Sequence, residues 1–433
     1  TLLQLGVELH VLLFNMHHII GDGWSLGILI RDLSRFYEAF SQGQPNPLLP
    51  LPIQYVDFVH WQQQLLKGEV FDQQLNYWTQ QLAGAPALLE LPIDHPRLPV
   101  QSTHGSSSLL SLSPALTAQL KQLSQQSGAT LFMTLLSVLA ILFARYSGQT
   151  DIVIGTLLAN RTHTQLESLI GLFLSTLVLR LNLEGNPPFD DVLQQTRRVT
   201  LEAYAHSDMP FMSLVETLKP ARNLSYLPLF QVMFDPQDVP MAEDLELPGL
   251  KAELIGSDTL VATYDLELVT EETDQGLEGT LVYNTDLFEQ ATIERMLEHF
   301  QTLLENIAEN PQQPIRDVPL FAEGEEQQFR ERCARSRQLS VNREPLSETE
   351  LQIYVAPRTA DEELLAWIWA AALEVEKVGI HDNFFKLGGH SMLAAQVRSQ
   401  ICEIFSVEMP LYRLFELQTL AELCEHLRNL PTK

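Results

Sequence analysis

Apolar residues recur at helical spacing from Leu26 through Leu29, Ile30, Leu33, Phe36 and Tyr37 to Phe40, which predicts an amphipathic helix with Ser25 as its N-cap. The run before it, Val7 to Met16, is rich in β-branched and aromatic residues and predicts a buried strand. Prolines between Pro45 and Pro52 break the pattern. Residues Gln54 to Leu82 then predict two helices interrupted at Gly68, and Gly84 to Gly105, with Pro86, Pro92, Pro96 and Pro99, predicts a long irregular connection. A short strand is expected at Leu109 to Leu112, and Ser113-Pro114 has the cap-then-proline form of a helix start. Thr130 to Tyr146 is apolar on most sides and predicts a buried helix. Further strands are predicted at Asp151 to Thr156, Leu172 to Leu183, Leu229 to Phe234, Leu260 to Val269 and Leu277 to Tyr283, with helices at Pro188 to Ala205, Phe211 to Leu218 and Thr292 to Ile307. Strands and helices that mix without strict alternation imply an α+β layered domain.

From Ala322 to Ser347 charge density rises and apolar periodicity lapses, as in a solvated linker. Helical patterning returns at Asp361 to Leu373, Ser391 to Phe405 and Thr419 to Leu430, with a short turn at Leu411 to Phe415, which implies a small four-helix bundle. The expected domains are therefore 1–320 and 354–430, joined by a linker over 321–353. The 433 residues suffice for several cores, and a net charge of −28 argues against nucleic acid or an anionic membrane as partner. No apolar run reaches the length of a membrane span, and no leader precedes the first strand, so the cytoplasm is the simplest location. The chain starts at Thr1 and runs directly into structure, which reads as a piece of something longer. Cys333, Cys402 and Cys424 have neither the number nor the spacing of a disulfide framework or a zinc site.

Two stretches carry candidate chemistry. Met16 to Ser25 (MHHIIGDGWS) sets His17, His18 and Asp22 around Gly21 and Gly23, in a strand-to-helix turn where the glycines allow backbone conformations that a Cβ disfavours. If His17 faces the interior, His18 is free to face a cavity and to exchange a proton near neutral pH. Asp22 reads better as a residue that orients the loop by pairing with an arginine. A metal is not expected, because adjacent histidines seldom chelate one ion and no second ligand cluster is present. On residue types alone, a structural histidine pair and a catalytic one both stand. In the small domain, Ser391 follows Gly388-Gly389-His390 at a helix start, where a phosphate ester would meet unpaired amides and the positive end of the helix dipole. The alternative is that Ser391 is simply an N-cap.

MHHIIGDGWS resembles the active-site motif of nonribosomal peptide synthetase condensation domains. Other segments resemble the family in order: YVDFVHW (Tyr55 to Trp61), IGLFLSTLVLR (Ile170 to Arg180), AHSDMPF (Ala205 to Phe211), NLSYLPLFQVMF (Asn223 to Phe234) and YNTDLF (Tyr283 to Phe288). DNFFKLGGHSM (Asp382 to Met392) resembles the peptidyl carrier signature, whose serine carries 4′-phosphopantetheine and matches Ser391. The resemblance implies a chloramphenicol-acetyltransferase-like fold, here the second lobe plus the end of the first, followed by an acyl-carrier-like bundle. It implies amide formation: an amine held as a carrier thioester attacks the donor thioester and takes over the peptide. His18, with His17, Asp22 and Gly23, maps onto the catalytic motif. His18 would deprotonate the attacking amine, or position it and stabilise the tetrahedral intermediate. A free α-amine has a pKa of about 8, so the demand for a strong base is modest. Gly23 would offer a backbone N–H, and Asp22 would pair with Arg161. The implied partners are an upstream carrier, a phosphopantetheinyl transferase, and an adenylation domain or enzyme acting in trans, since TELQIYVAPRT (Thr349 to Thr359) resembles the end of an adenylation domain that is otherwise absent. With the first lobe incomplete, the chain by itself is expected to condense poorly. Rival readings are a coenzyme A-dependent acyltransferase or an epimerization domain sharing the histidines, and a carrier shuttle attached to an inactive condensation remnant.

Overall fold

The computed structural model describes residues 1–220, 223–236, 245, 247–253, 255, 260–321, 324–341, 355–373, 375, 377–384, 387, 391–405, 407–410, 413–414, 417 and 419–428, without the side chains of 337–341, 391, 392, 395, 396 and 403. They fall into two compact units, one of residues 1–95, 102–221 and 226–334, the other of 96–101, 222–225 and 335–433.

In the larger unit, β1 (Leu2–Gln4) and β2 (His10–Leu12) pair antiparallel as a ribbon of their own. The buried strand expected over Val7 to Met16 is thus three residues long, and Val7, Leu9 and Phe14 around it are exposed. A ribbon buries its faces only where another element covers them, and all of this one but Val11 is exposed. A 3-10 turn (His18–Ile20) leads into α1 (Gly23–Ser41). Helices α2 (Tyr55–Leu65) and α3 (Glu69–Leu82) are separated at Gly68, whose φ of +64° lies in the left-handed region that suits glycine.

The main core forms on a seven-stranded sheet. After the long connection come β3 (His104–Leu112), α4 (Pro114–Gln126), α5 (Leu131–Ser147), β4 (Asp151–Leu158) and β5 (Ser175–Asn182). Then follow α6 (Phe189–Ala205), α7 (Phe211–Leu218), β6 (Val232–Pro236), β7 (Leu260–Val261), β8 (Leu266–Thr273), β9 (Gly276–Asn284) and α8 (Gln290–Glu309). Sheet order is β5-β4-β6-β8-β9-β3-β7, with β6 parallel to both β4 and β8 and the other pairs antiparallel. The expected strand over Leu260 to Val269 divides into β7 and β8. Helices α4, α5, α6 and α8 cover one sheet face. Thr130 caps α5, whose Leu136, Ala140 and Ile141 are fully buried. Each large apolar side chain buried this way contributes roughly 1.5–3 kcal/mol. Its polar Ser137 is satisfied inside the core by Met133 O (2.7 Å) and Thr196 Oγ1 on α6 (2.8 Å).

The stretch read as a solvated linker differs in its first half. α9 (Glu325–Val341) is helical, and Phe329 is buried edge-on to Tyr146 at 4.7 Å between ring centroids. One large apolar residue among many charges gives little periodicity, and the helix is held besides by Glu325 against His299 and by Cys333 packed on the core. The smaller unit holds α10 (Ala360–Leu373), α11 (Ser391–Ile404) and α12 (Leu420–Arg428) around fully buried Trp369 and Phe384, whose rings meet at 5.0 Å. Most of the turn expected at Leu411 to Phe415 lies outside the described residues.

Candidate active site

The turn between β2 and α1 carries both histidines at the surface. His17, expected inside, is exposed, and its Nδ1 accepts the N–H of Ile19 (3.1 Å), so one ring nitrogen closes its own turn. His18 is exposed as well, and among the described residues its ring has no hydrogen-bond partner. The structure therefore distinguishes the two on other grounds than interior against cavity: His17 caps its own turn, and His18 has no hydrogen-bond partner among the described residues.

Asp22, not Ser25, is the N-cap of α1: its Oδ1 accepts the Ser25 N–H at 2.8 Å. Gly21 is extended, with φ of −174°, and Gly23 also lies outside the left-handed region, so neither glycine is explained by backbone freedom. Gly21 is small for packing, since a Cβ there would lie 2.8 Å from Met16 Cε and 3.3 Å from Ser25 Cβ. Gly23 opens α1 with open space beside it, and among the described residues its N–H has no acceptor.

Behind this turn lies a buried polar cluster. Arg161 Nη2 is 3.1 Å from Asp22 Oδ1, with both side chains almost wholly buried, so the structure brings together the pair singled out from sequence. Asp22 Oδ2 accepts the Phe173 N–H at 3.0 Å. The other arm of the guanidinium, Nη1, donates to the carbonyls of Leu166 and Leu169, the latter at 2.8 Å, and its face lies 4.1 Å from the Phe173 ring centroid. Burial would raise the Asp22 carboxyl, but hydrogen bonds from Phe173 and Ser25 and the Arg161 charge outweigh it and hold the group below the usual range. Asp22 thus has its oxygens occupied by protein donors and shapes the loop.

Ser25, Trp24 and Tyr55 complete this cluster in roles that the motif letters do not state. Ser25 is fully buried and hydrogen-bonds Asp22, Arg161 and both backbone groups of Gly171. Tyr55 donates to Leu172 O at 2.8 Å and its ring covers Gly171 so closely that a Cβ would sit 2.1 Å from it. Trp24 Nε1 donates to Glu167 O at 2.9 Å. The signal was present in YVDFVHW and IGLFLSTLVLR, which meet here, but only the tertiary contacts say which letters do the joining. AHSDMPF meets the second segment too, through Ser175 Oγ and Ser207 O at 3.1 Å. Gly388 to His390 lie outside the described residues. Ser391 begins the 14-residue helix α11. Among the described residues no group of three His, Cys, Asp or Glu is placed to hold a metal ion.

The chain matches the condensation-domain family over residues 1–329 and the phosphopantetheine attachment site family over 363–427. It is 46% identical over 329 residues to a linear gramicidin synthase from Brevibacillus parabrevis, covering 76% of this chain and 4% of that protein. It is 39% identical to the phosphinothricin tripeptide synthetase PhsC of Streptomyces viridochromogenes, over 76% of this chain and 30% of that protein. Among solved structures, the X-domain from teicoplanin biosynthesis superposes with a TM-score of 0.66 at 29% identity, over 71% of each chain. The chain belongs to the condensation-domain family, the peptide-bond-forming acyltransferases of nonribosomal peptide synthetases, and continues into a domain of the kind that carries 4′-phosphopantetheine covalently. It spans a small fraction of the length of these curated relatives. Among the described residues no single helix is long and apolar enough to cross a membrane.

Proposed function

We propose that this chain forms an amide bond between a thioester donor delivered by an upstream carrier and an aminoacyl group held on its own carrier domain at Ser391, with His18 acting on the attacking nitrogen. The observation that carries the reading is the contrast within the histidine pair. His17 is spent on its own turn, whereas the His18 ring is exposed and, among the described residues, has no hydrogen-bond partner, on a turn fixed from behind by a buried ion pair. His18 holds or removes the proton of the amine, and the Gly23 N–H at the start of α1, without an acceptor among the described residues, faces developing negative charge. Asp22 and Arg161 hold the turn.

The start of α11 suits a phosphodiester on Ser391, because first-turn amides lack intrahelical acceptors and the dipole favours an anion. When attached, 4′-phosphopantetheine supplies a mobile thiol on which the acyl group is held as a thioester. A phosphopantetheinyl transferase installs it, an adenylation domain or enzyme acting in trans loads it, and the reaction takes place in the cytoplasm. The condensation domain is assigned to 1–320 and the carrier to 354–430. Intact-protein mass spectrometry after incubation with coenzyme A and such a transferase is expected to show one added phosphopantetheine, absent in Ser391→Ala. With an amino acid then loaded there and a donor thioester on a second carrier, slow peptide transfer is expected from the wild type and none from His18→Ala. Loading without transfer would leave the carrier-shuttle reading.

A further inference from the structure

We propose that Ser25 is a positioning residue for the His18 turn, its buried hydroxyl joining the first turn of α1 to Gly171; the inference rests on the reading of His18 as the acting residue. The Ser25 side chain lies in the centre of the cluster with no solvent exposure. Its Oγ accepts the Gly171 N–H at 3.0 Å and an Arg161 Nη2 proton at 3.1 Å. Its single proton is shared between Asp22 Oδ1 at 2.7 Å and Gly171 O at 2.8 Å. A hydroxyl has one donor and two acceptor sites, so its capacity is filled, and every partner belongs to the protein.

This arrangement exceeds what capping a helix or burying an ion pair needs. Asp22 reaches the 161–173 segment through Arg161 and the Phe173 N–H. Both of these contacts pass through the one Asp22 side chain, and Trp24 adds an outer one at Glu167 O. Ser25 adds a buried attachment at Gly171, two residues before Phe173 and about one helical turn beyond Asp22, so that the start of α1 is held to this segment from separate residues, which fixes orientation as well as distance. The link to His18 is short. The Gly21 N–H points to His18 O at 3.4 Å, and the space a Cβ on Gly21 would take is bounded by Met16 and by Ser25 Cβ, 3.3 Å from that position, so the serine limits the room behind the histidine turn. Gly171 cannot retreat, because the Tyr55 ring occupies the far side.

Removing the hydroxyl leaves the Gly171 N–H and C=O buried without that partner and deprives Asp22 of a donor. Hydrogen exchange on the full chain is expected to quicken at least tenfold in Ser25→Ala at residues 16–25 and 166–173, and not in α5. Ser25→Thr, which keeps the oxygen, should restore most of the protection. In the transfer assay, Ser25→Ala should lower kcat by about ten- to a hundredfold with the acceptor KM unchanged, as for a misplaced catalytic group, and Ser25→Thr should recover it. Unchanged exchange at both segments overturns the proposal, as does quickening throughout the unit, or local quickening with kcat intact. Should the wild type transfer nothing, the proposed function fails while the exchange comparison still decides whether Ser25 holds the turn.

Discussion

At Asp22 a single carboxylate serves as helix cap, ion-pair partner and acceptor for a distant loop, and its removal strands a cation. Asp22→Ala leaves Arg161 buried without its counter-charge, and breaking a buried pair in this way costs about 3–5 kcal/mol. Urea unfolding of the variant should show that loss. The same carboxyl sets an acid limit. Its folded pKa is lowered, so its contribution is full above the unfolded value of about 3.9 and is lost as pH falls through the folded one. The urea midpoint of the wild type should therefore decline below about pH 4, and Asp22→Asn should be less stable but flatter across that window.

Between elements, two contacts are sharply testable. Helix α2 closes on the Gly171 segment through Tyr55, with no room for a methyl group. Gly171→Ala should lose about 1–3 kcal/mol or more by overpacking, and Tyr55→Ala in the same chain should recover part of it, a coupling read by a double-mutant cycle. At the other end of the unit, α9 is fastened by a chain of buried groups. Tyr146 Oη and His299 Nδ1 lie 2.7 Å apart, and His299 Nε2 is 3.1 Å from Glu325 Oε1. Burial pushes the His299 ring below its ordinary value, against the pull of Glu325. The unfolded ring, with a pKa of about 6.5, takes up a proton first, so stability falls as pH drops below that value. Hydrogen exchange in α9 is expected to quicken from about pH 6.5 downward, and His299→Gln to remove that dependence.

In the molecule as a whole each unit carries its own acid-sensitive carboxylate. In the carrier unit, Glu362 accepts from the Arg358 N–H at 2.7 Å and Nη2 at 2.8 Å, and these contacts bring its carboxyl down to about 2. Its contribution is complete above about 4.3, the ordinary value, and disappears towards the folded one. Residue-resolved NMR of the full chain should place loss of α10 signals in that interval, and Glu362→Gln should abolish the dependence without moving the Asp22 transition. A common pH profile for both carboxylates would mean that the two units do not respond separately.

Periodicity alone was enough to locate α1, α2, α3, α5, α6, α7 and α8, because a helix that buries one face or all faces must repeat its apolar residues accordingly. Motif letters were enough to mark the histidine turn, and the family resemblance to choose Arg161 as the partner of Asp22. Cap geometry was not legible: Asp22 and Ser25 are both good caps, and the choice fell to Asp22 because the Ser25 hydroxyl is taken by Gly171, 146 positions away. Nor was the division of labour between His17 and His18, which depends on which ring folds back on Ile19. The apolar run of Val7 to Met16 predicted burial and is exposed, since a pattern records the surface a strand offers and not what covers it. The charged stretch after Ala322 hid a docked helix for the converse reason: its anchors, Phe329 and the Glu325 carboxylate, meet the Tyr146 and His299 rings only across the fold. Local repeats are written residue by residue along the chain, whereas closure across a hundred and more residues exists only when the chain has folded.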